Sequence, residues 1–338
     1  MTTAPRAIPL NFFSIPFGIL GLADCWLAAA SFELTPVAIG RVLTAVAMII
    51  WAVVLVAYAN GVRRSGASLA AELGDPVTGP FAALAVIAPM LAAANVLYAL
   101  SHPVGIAVVD ALVVATVLIA GWFTGQWIYR TVPLASLHPG HFLPSVAGGL
   151  LAAASAAHVG QLRLAEMLCG LGLVCWVVLG SIIFGRLLLG PPLPAALTPT
   201  IAIEVAPAAV AIVAVFLING NRVDTVVRLL AGYGLLMIIA QVRLVSAYRR
   251  LRFMPSFWSF TFSWAAVASA GLFWLGITRP SGWRIESYLV LALISAFIGA
   301  IAVRTAVALR RGQLLPAAVA PAQLAASQSG PVASPAQA

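Results

Sequence analysis

Lysine is absent from this chain of 338 residues, and charged residues of all kinds make up only 8% of it. Soluble domains have about 25% charged residues, so this composition excludes an ordinary water-soluble globular protein. Hydrophobic residues account for 62% of the chain, and that much apolar surface requires lipid as its solvent. The net charge of +9 comes from arginines that are scattered between apolar runs. These arginines do not form the basic stripe of a nucleic-acid-binding protein.

The sequence also has little of what catalysis or metal binding requires. Its three cysteines, Cys25, Cys169 and Cys175, lie in apolar runs without metal-ligand spacing. His138 and His141 could share a metal, but no third ligand is close in sequence, so we interpret them as a pair of residues in a loop. A G-x-x-x-x-G-K-[ST] loop is also missing, which argues against ATP-driven transport. We therefore predict no metal, no cofactor and no enzyme activity; an enzyme within the membrane would need a clustered catalytic set.

Ten apolar runs divide the chain, and each approaches the roughly 20 residues that one membrane crossing requires. We predict an all-α membrane domain over residues 10–311, a short cytoplasmic N-terminus (1–9) and a disordered cytoplasmic tail (312–338) rich in Ala, Pro, Gln and Ser. The first run resembles a cleavable signal peptide, but Pro16 and Asp24 inside it favour a retained span. The runs are residues 10–29, 38–59, 80–100, 104–126, 142–160, 165–189, 199–219, 225–248, 256–278 and 286–309.

Arginine is distributed unevenly between the two ends of these runs. Ten of the eighteen arginines precede the first run or follow an even-numbered one. Cytoplasmic loops carry the excess of positive charge in membrane proteins, so this pattern predicts an inner-membrane protein with both termini in the cytoplasm. An inverted topology is the alternative. The ten are Arg6, Arg63, Arg64, Arg130, Arg186, Arg249, Arg250, Arg252, Arg310 and Arg311.

Proline recurs at a matched depth in alternate runs. Four odd-numbered runs contain Pro16, Pro89, Pro144 and Pro207, and Ser263 occupies the same depth in the ninth. The interval of roughly 60 residues indicates a repeated helical hairpin. A proline inside a helix frees a backbone carbonyl, which in lipid needs a partner from another helix or from a wet cavity. We therefore predict five kinked helices around a central pore and five straighter helices outside them.

Several segments together resemble the tellurite-resistance/dicarboxylate transporter family, which includes bacterial TehA and the plant slow-type anion channels. The resemblance covers about residues 8–310. It implies ten helices in a quasi-five-fold bundle around a central pore, a homotrimer in the lipid membrane with one pore per subunit, and passive conduction of small inorganic or organic anions. Some members carry dicarboxylates. The segments are residues 15–19 (IPFGI), 21–23 (GLA), 185–187 (GRL), 192–203 (PLPAALTPTIAI), 206–207 (AP) and 257–262 (FWSFTF).

One layer of the predicted ring contains a single aromatic side chain. The residues that precede the kink positions are Ile15, Ala88, Leu143, Ala206 and Phe262. If this layer faces the axis, the Phe262 ring crosses an apolar lumen and closes it by dewetting. An ordinary packed phenylalanine is the alternative. The resemblance implies the same role for Phe262, because the family's pore-plugging phenylalanine matches this position.

Asp24 and Glu204 are carboxyl groups at positions where the family is uncharged. A charge near mid-bilayer costs about 2.5–3.5 kcal/mol on insertion scales, so each should pair with Arg243 or Arg304, lie near the interface, or hold a proton. A protonated carboxyl group could couple proton movement to anion movement. We predict a multi-pass anion channel or facilitator; a proton-coupled carrier of C4-dicarboxylates or sulfite-like oxyanions is the rival hypothesis.

Overall fold

Ten helices long and apolar enough to cross a membrane make up most of the computed structural model, which describes residues 8–66, 68–130 and 132–314. They match the ten predicted runs. Most of the predicted N-terminus and tail, residues 1–7 and 315–338, lies outside the described residues. The helices are α1 (Leu10–Ser31), α2 (Val37–Ser65), α3 (Gly79–Leu100), α4 (His102–Tyr129), α5 (Pro139–His158), α6 (Leu162–Leu189), α7 (Thr198–Ile218), α8 (Thr225–Tyr248), α9 (Pro255–Thr278) and α10 (Trp283–Arg310).

Burial alternates along the chain between the odd-numbered and even-numbered helices. In the odd helices 50–89% of the most apolar segment is buried, against 17–28% in the even helices. The odd helices also contact one another in a cycle, from α1 through α3, α5, α7 and α9 back to α1. The odd helices therefore form the inside of the bundle, in line with their proline pattern. Quasi-five-fold symmetry of this arrangement stays a prediction.

Departures from regular α geometry occur inside the odd helices, whereas each even helix is continuous α over its described length. Irregular backbone is tolerated at membrane depth only where protein or a cavity surrounds it, and the buried odd helices meet that condition. The longest departure is the eight-residue 3₁₀ segment that opens α7. The 3₁₀ segments are Leu10–Phe13, Gly79–Ala83, Pro139–His141, Thr198–Val205 and Pro255–Phe257, and the π segments are Ala93–Leu97 and Leu143–Ala147.

An outer helix satisfies the backbone carbonyl that Pro89 leaves free in α3. Proline has no N–H, so the carbonyl of Ala85, four residues earlier, lacks its helical partner. The indole N–H of Trp51 in α2 donates a hydrogen bond to that carbonyl at 2.9 Å. Gln241 of α8 likewise donates its amide to the carbonyl of Ile201 in the 3₁₀ segment of α7, also at 2.9 Å. Outer helices thus complete the hydrogen bonding of irregular inner helices.

Two glycines allow α1 to approach α9 and complete the cycle of inner helices. A methyl group added to Gly18 would clash with Thr261 and would lie 2.7 Å from the Trp258 ring. One added to Gly21 would lie 2.8 Å from the Cβ of Ala265. Both distances are too short for carbon contacts, so this interface requires glycine. This is a physical reason for the IPFGI and GLA segments in the sequence.

Candidate pore and vestibule

A central cavity of about 340 Å³ lies among the odd helices, and all five of them contribute to its wall. Most of the wall is apolar, with side chains such as Leu91, Leu150 and Val210. The wall includes Ser31 and His158, which are the last residues of α1 and α5. The cavity is therefore a vestibule that extends toward the C-terminal ends of the inner helices. We call it the vestibule below.

Two phenylalanine rings meet at the inner end of the vestibule. The ring centroids of Phe17 in α1 and Phe262 in α9 are 5.1 Å apart, and the rings are tilted by 53°. Each side chain is only 6% exposed. Phe142 and Leu143 of α5 border the same end of the wall. A fully apolar layer such as this one disfavours water, which is the property required of a hydrophobic gate.

The structure brings only part of the predicted layer to the vestibule wall. Leu143, Ala206 and Phe262 belong to the wall, whereas Ile15 and Ala88 do not. Their helices contribute Phe17 and Leu91 instead. Relative to the kink proline, the wall residue is one position after it in α1, two after it in α3, and one before it in α5 and α7. One sequence offset from the kink proline therefore does not define one layer.

The kink positions themselves are mostly outside the wall. Pro207 borders the vestibule, whereas Pro16, Pro89, Pro144 and Ser263 do not contribute to its wall. Ser263 lies in regular helix and donates its hydroxyl hydrogen to the carbonyl of Ser259 at 2.7 Å. Four of the five predicted kink positions therefore do not contact the vestibule directly.

Asp24 lies in the vestibule wall, but its partner is not an arginine. Its Oδ1 accepts a hydrogen bond from the Asn95 side-chain amide of α3 at 2.6 Å. Asn95 belongs to the π segment Ala93–Leu97 and also lines the vestibule. π segments often occur at functional sites. Here the segment brings an amide donor to a carboxyl group that faces the cavity.

Glu204 does not line the vestibule, although sequence reasoning grouped it with Asp24. It is 4% exposed and lies near Tyr248 of α8, and its Oε1 has no hydrogen-bond partner among the described residues. The two arginines expected as partners point elsewhere. Arg243 is exposed, and the Arg304 guanidinium lies 5.5 Å from the centroid of the Phe253 ring. Glu204 thus occupies the packing between α7 and α8.

His138 and His141 form a buried, hydrogen-bonded pair at the start of α5. The Nδ1 of His138 accepts a hydrogen bond from Gly140 N–H at 3.1 Å, so its Nε2–H donates to the Val77 carbonyl at 3.1 Å. Burial, assisted by the neighbouring His141, lowers the pKa of His138 to about 3. No group of three or more metal-ligating side chains occurs in the part of the chain that the structure describes. The pair therefore joins the loop before α5 to the loop before α3, which contains Val77. Both loops lie at the end of the bundle where the arginine clusters follow the even helices.

Comparison with known proteins adds to this geometry. Residues 7–306 match the family described as SLAC1, voltage-dependent anion channel. The chain belongs to this family. It is also 27% identical over 323 residues to the tellurite resistance protein TehA homolog of Haemophilus influenzae, which covers 92% of this chain and 94% of that relative. The predicted resemblance is therefore confirmed.

Membership of the anion channel family supports a role in anion transport across a membrane. With its ten apolar helices, the chain is a multi-pass membrane protein. The family consists of transporters and channels, which agrees with the expectation that this protein is not an enzyme. Its ligands are accordingly anions, and the vestibule between the inner helices is the candidate path for them.

Sequence reasoning missed two wall residues that the geometry makes prominent. Phe17 was overlooked because only residues before the kinks were compared. The spacing Phe17, Gly21, Asp24, Ala28 and Ser31 follows one helical face, and all five line the vestibule. Asn95 could have been noticed as the one amide side chain in the third apolar run.

Proposed function

We propose that the protein conducts small anions passively across the inner membrane and that Phe17 and Phe262 together gate its pore. The observation that carries this proposal is the apolar layer at the inner end of the vestibule, where the two rings are 5.1 Å apart. Membership of the anion channel family supports the nature of the permeant species. In the closed state the layer excludes water and hence hydrated ions.

Electrostatics favour anions at the mouth opposite the vestibule. All five inner helices begin at that end, and helix N-termini carry partial positive charge. The predicted cytoplasmic arginine clusters follow the even helices, which end on the same side. Their summed potential raises the local concentration of anions. We assign this end to the cytoplasm, together with both chain termini.

The test is electrical recording from purified protein in liposomes. Currents are measured under anion replacement, at symmetric and asymmetric pH, for the natural protein and for Phe262→Ala. We expect an anion-selective current in the variant whose reversal potential follows the anion gradient. A current that follows the cation gradient, or none in a well-folded variant, would refute the proposal.

A second candidate is a proton-coupled carrier of C4-dicarboxylates or sulfite-like oxyanions. The observation that favours it is the carboxyl group of Asp24 in the vestibule wall, which could move a proton with the anion. Anion uptake driven by a pH gradient, in the absence of an anion gradient, would distinguish this carrier from a passive channel.

The resemblance also supports a homotrimer with one pore per subunit. The even helices leave large apolar side chains exposed, and these contact lipid or a neighbouring subunit. Mass measurement of the protein in lipid nanodiscs tests the assembly: a mass of three chains is expected, and a single-chain mass would exclude it.

A further inference from the structure

The vestibule wall contains one carboxyl group and no arginine among the residues that the structure describes. The carboxyl group belongs to Asp24, two helical turns from Phe17 along the same face of α1. An anion that crosses the vestibule therefore passes a group of its own sign when Asp24 is ionised. Within a narrow apolar cavity, water screens such repulsion weakly.

Asp24 is fixed in place without being neutralised. The Asn95 amide donates to its Oδ1 at 2.6 Å, and an amide orients a carboxyl group but adds no positive charge. The next residue, Cys25, turns away and contacts α9, with its Sγ 3.3 Å from both the Ala265 carbonyl and the Ser269 hydroxyl. The geometry thus keeps one carboxyl group directed at the ion path.

The helices packed around Asp24 contribute no arginine to the vestibule wall that could compensate its charge. Its hydrogen-bond partner from α3 is Asn95. The same wall includes Ser269 from α9 and His158 from α5, and His158 is its only titratable side chain besides Asp24. His158 is the exposed last residue of α5. The outer helices α2 and α10 also contact α1. Near the same membrane face their charged side chains are all exposed: Arg41, Arg284 and Glu286.

We propose that Asp24 is a proton-binding site that sets the charge of the vestibule, so that anions pass readily only while Asp24 is protonated. This inference rests on the proposed anion conduction, and it adds a control by pH on the side where the vestibule opens. Proton binding converts the carboxylate to a neutral carboxylic acid and removes the repulsion. The Asn95 amide stabilises the ionised form, which keeps the vestibule closed to anions until the pH falls.

The experiment uses the Phe262→Ala background, in which conduction does not depend on gate opening. Anion currents are recorded while pH on the vestibule side is varied from about 8 to 5. The anion current of Phe262→Ala should be about tenfold or more larger at the acidic end of this pH range than at the basic end. The reason is that neutralising one charge in a poorly screened site changes ion occupancy on that scale. Adding Asp24→Asn should give the high current at every pH, since asparagine has the same shape and no charge.

Glu204→Gln on the same background is the matched control. It neutralises a buried carboxyl group outside the vestibule wall and should leave the pH dependence intact. Asn95→Ala gives an independent readout, because losing the donor destabilises the ionised carboxylate and should move the midpoint of the current to higher pH. It replaces Asp24→Asn if that variant does not fold.

Different results would overturn the role of Asp24 and the proposed conduction. Currents that keep their pH dependence with Asp24→Asn, or a midpoint that does not move with Asn95→Ala, would overturn the role of Asp24 alone. Absence of anion current in folded Phe262→Ala at every pH would overturn the proposed conduction and this inference with it.

Discussion

Replacing Phe262 with alanine separates a gate from an ordinary packed aromatic side chain. For the pore to open, the Phe262 ring must leave Phe17, which costs about 0.5–1.5 kcal/mol for an aromatic pair. It must also move apolar surface that is 94% buried, since the side chain is 6% exposed, and this costs about 1.5–3 kcal/mol. Together these amount to about 2–4.5 kcal/mol. At 1.4 kcal/mol per factor of ten, Phe262→Ala should raise anion conductance by about 30-fold or more.

Phe260 provides a matched control two residues away on the same helix. It is also 6% exposed, but its ring packs against Tyr248 at 4.9 Å and Phe257 at 5.6 Å, outside the vestibule wall. Phe→Ala at buried sites costs about 3–5 kcal/mol of stability. We expect the loss of stability to lie near the lower end of this range for Phe262→Ala, because that change enlarges an existing cavity. For Phe260→Ala we expect a loss near the upper end.

Conductance and melting temperature should be measured on the same preparations. The gate assignment predicts a large current in Phe262→Ala and none in Phe260→Ala, although both melt at lower temperature. Phe17→Ala should conduct less than Phe262→Ala, and the double variant should conduct most. A destabilised Phe262→Ala protein that stays closed at every pH from about 8 to 5, or equal currents from Phe260→Ala, would refute the gate assignment.

Three further predictions concern topology, pH and buried charge. Reporter fusions after Arg64 and Arg250 should both report cytoplasm, because arginine clusters follow the even helices; a periplasmic signal at both would invert the assignment. Since the pKa of His138 is lowered from 6.5 to about 3, the unfolded chain binds the extra proton, and stability should fall as pH drops through that window. His138→Asn should flatten this decline in thermal melts, and an unchanged slope would contradict the role. Glu204→Gln should change melting temperature without altering anion selectivity; a changed selectivity would place Glu204 in the ion path.

The ends of the ten helices could be predicted from the sequence to within six residues, because every membrane crossing requires about 20 apolar residues. The eighth run, predicted as residues 225–248, is helix Thr225–Tyr248. The fifth helix begins three residues before its predicted start, at Pro139. There His138 and His141 stabilise a turn through hydrogen bonds, and hydropathy does not register such polar capping.

The wall of the vestibule was only partly predictable. Phe262 and Leu143 were found because the residue before the kink faces inward in α9 and α5. The same offset fails for Ile15 and Ala88, although both lie in regular α-helix. Proline positions in the sequence indicate how deep a residue lies along its helix, but they do not indicate how that helix is turned about its own axis toward the cavity.

The 3₁₀ segment Thr198–Val205 makes α7 longer along its axis than the same residues would be in an α-helix. Eight residues rise about 2.0 Å each in a 3₁₀ helix and about 1.5 Å each in an α-helix. Conversion of the whole segment to α geometry would therefore draw the N-terminal end of α7 about 4 Å toward the membrane centre while the vestibule wall beyond Ala206 stays in place. Such a displacement is about three quarters of the α-helical pitch of about 5.4 Å. The segment contacts both α8 and α9, so this change of length would move it against those two helices, and the bond from Gln241 to Ile201 would have to break.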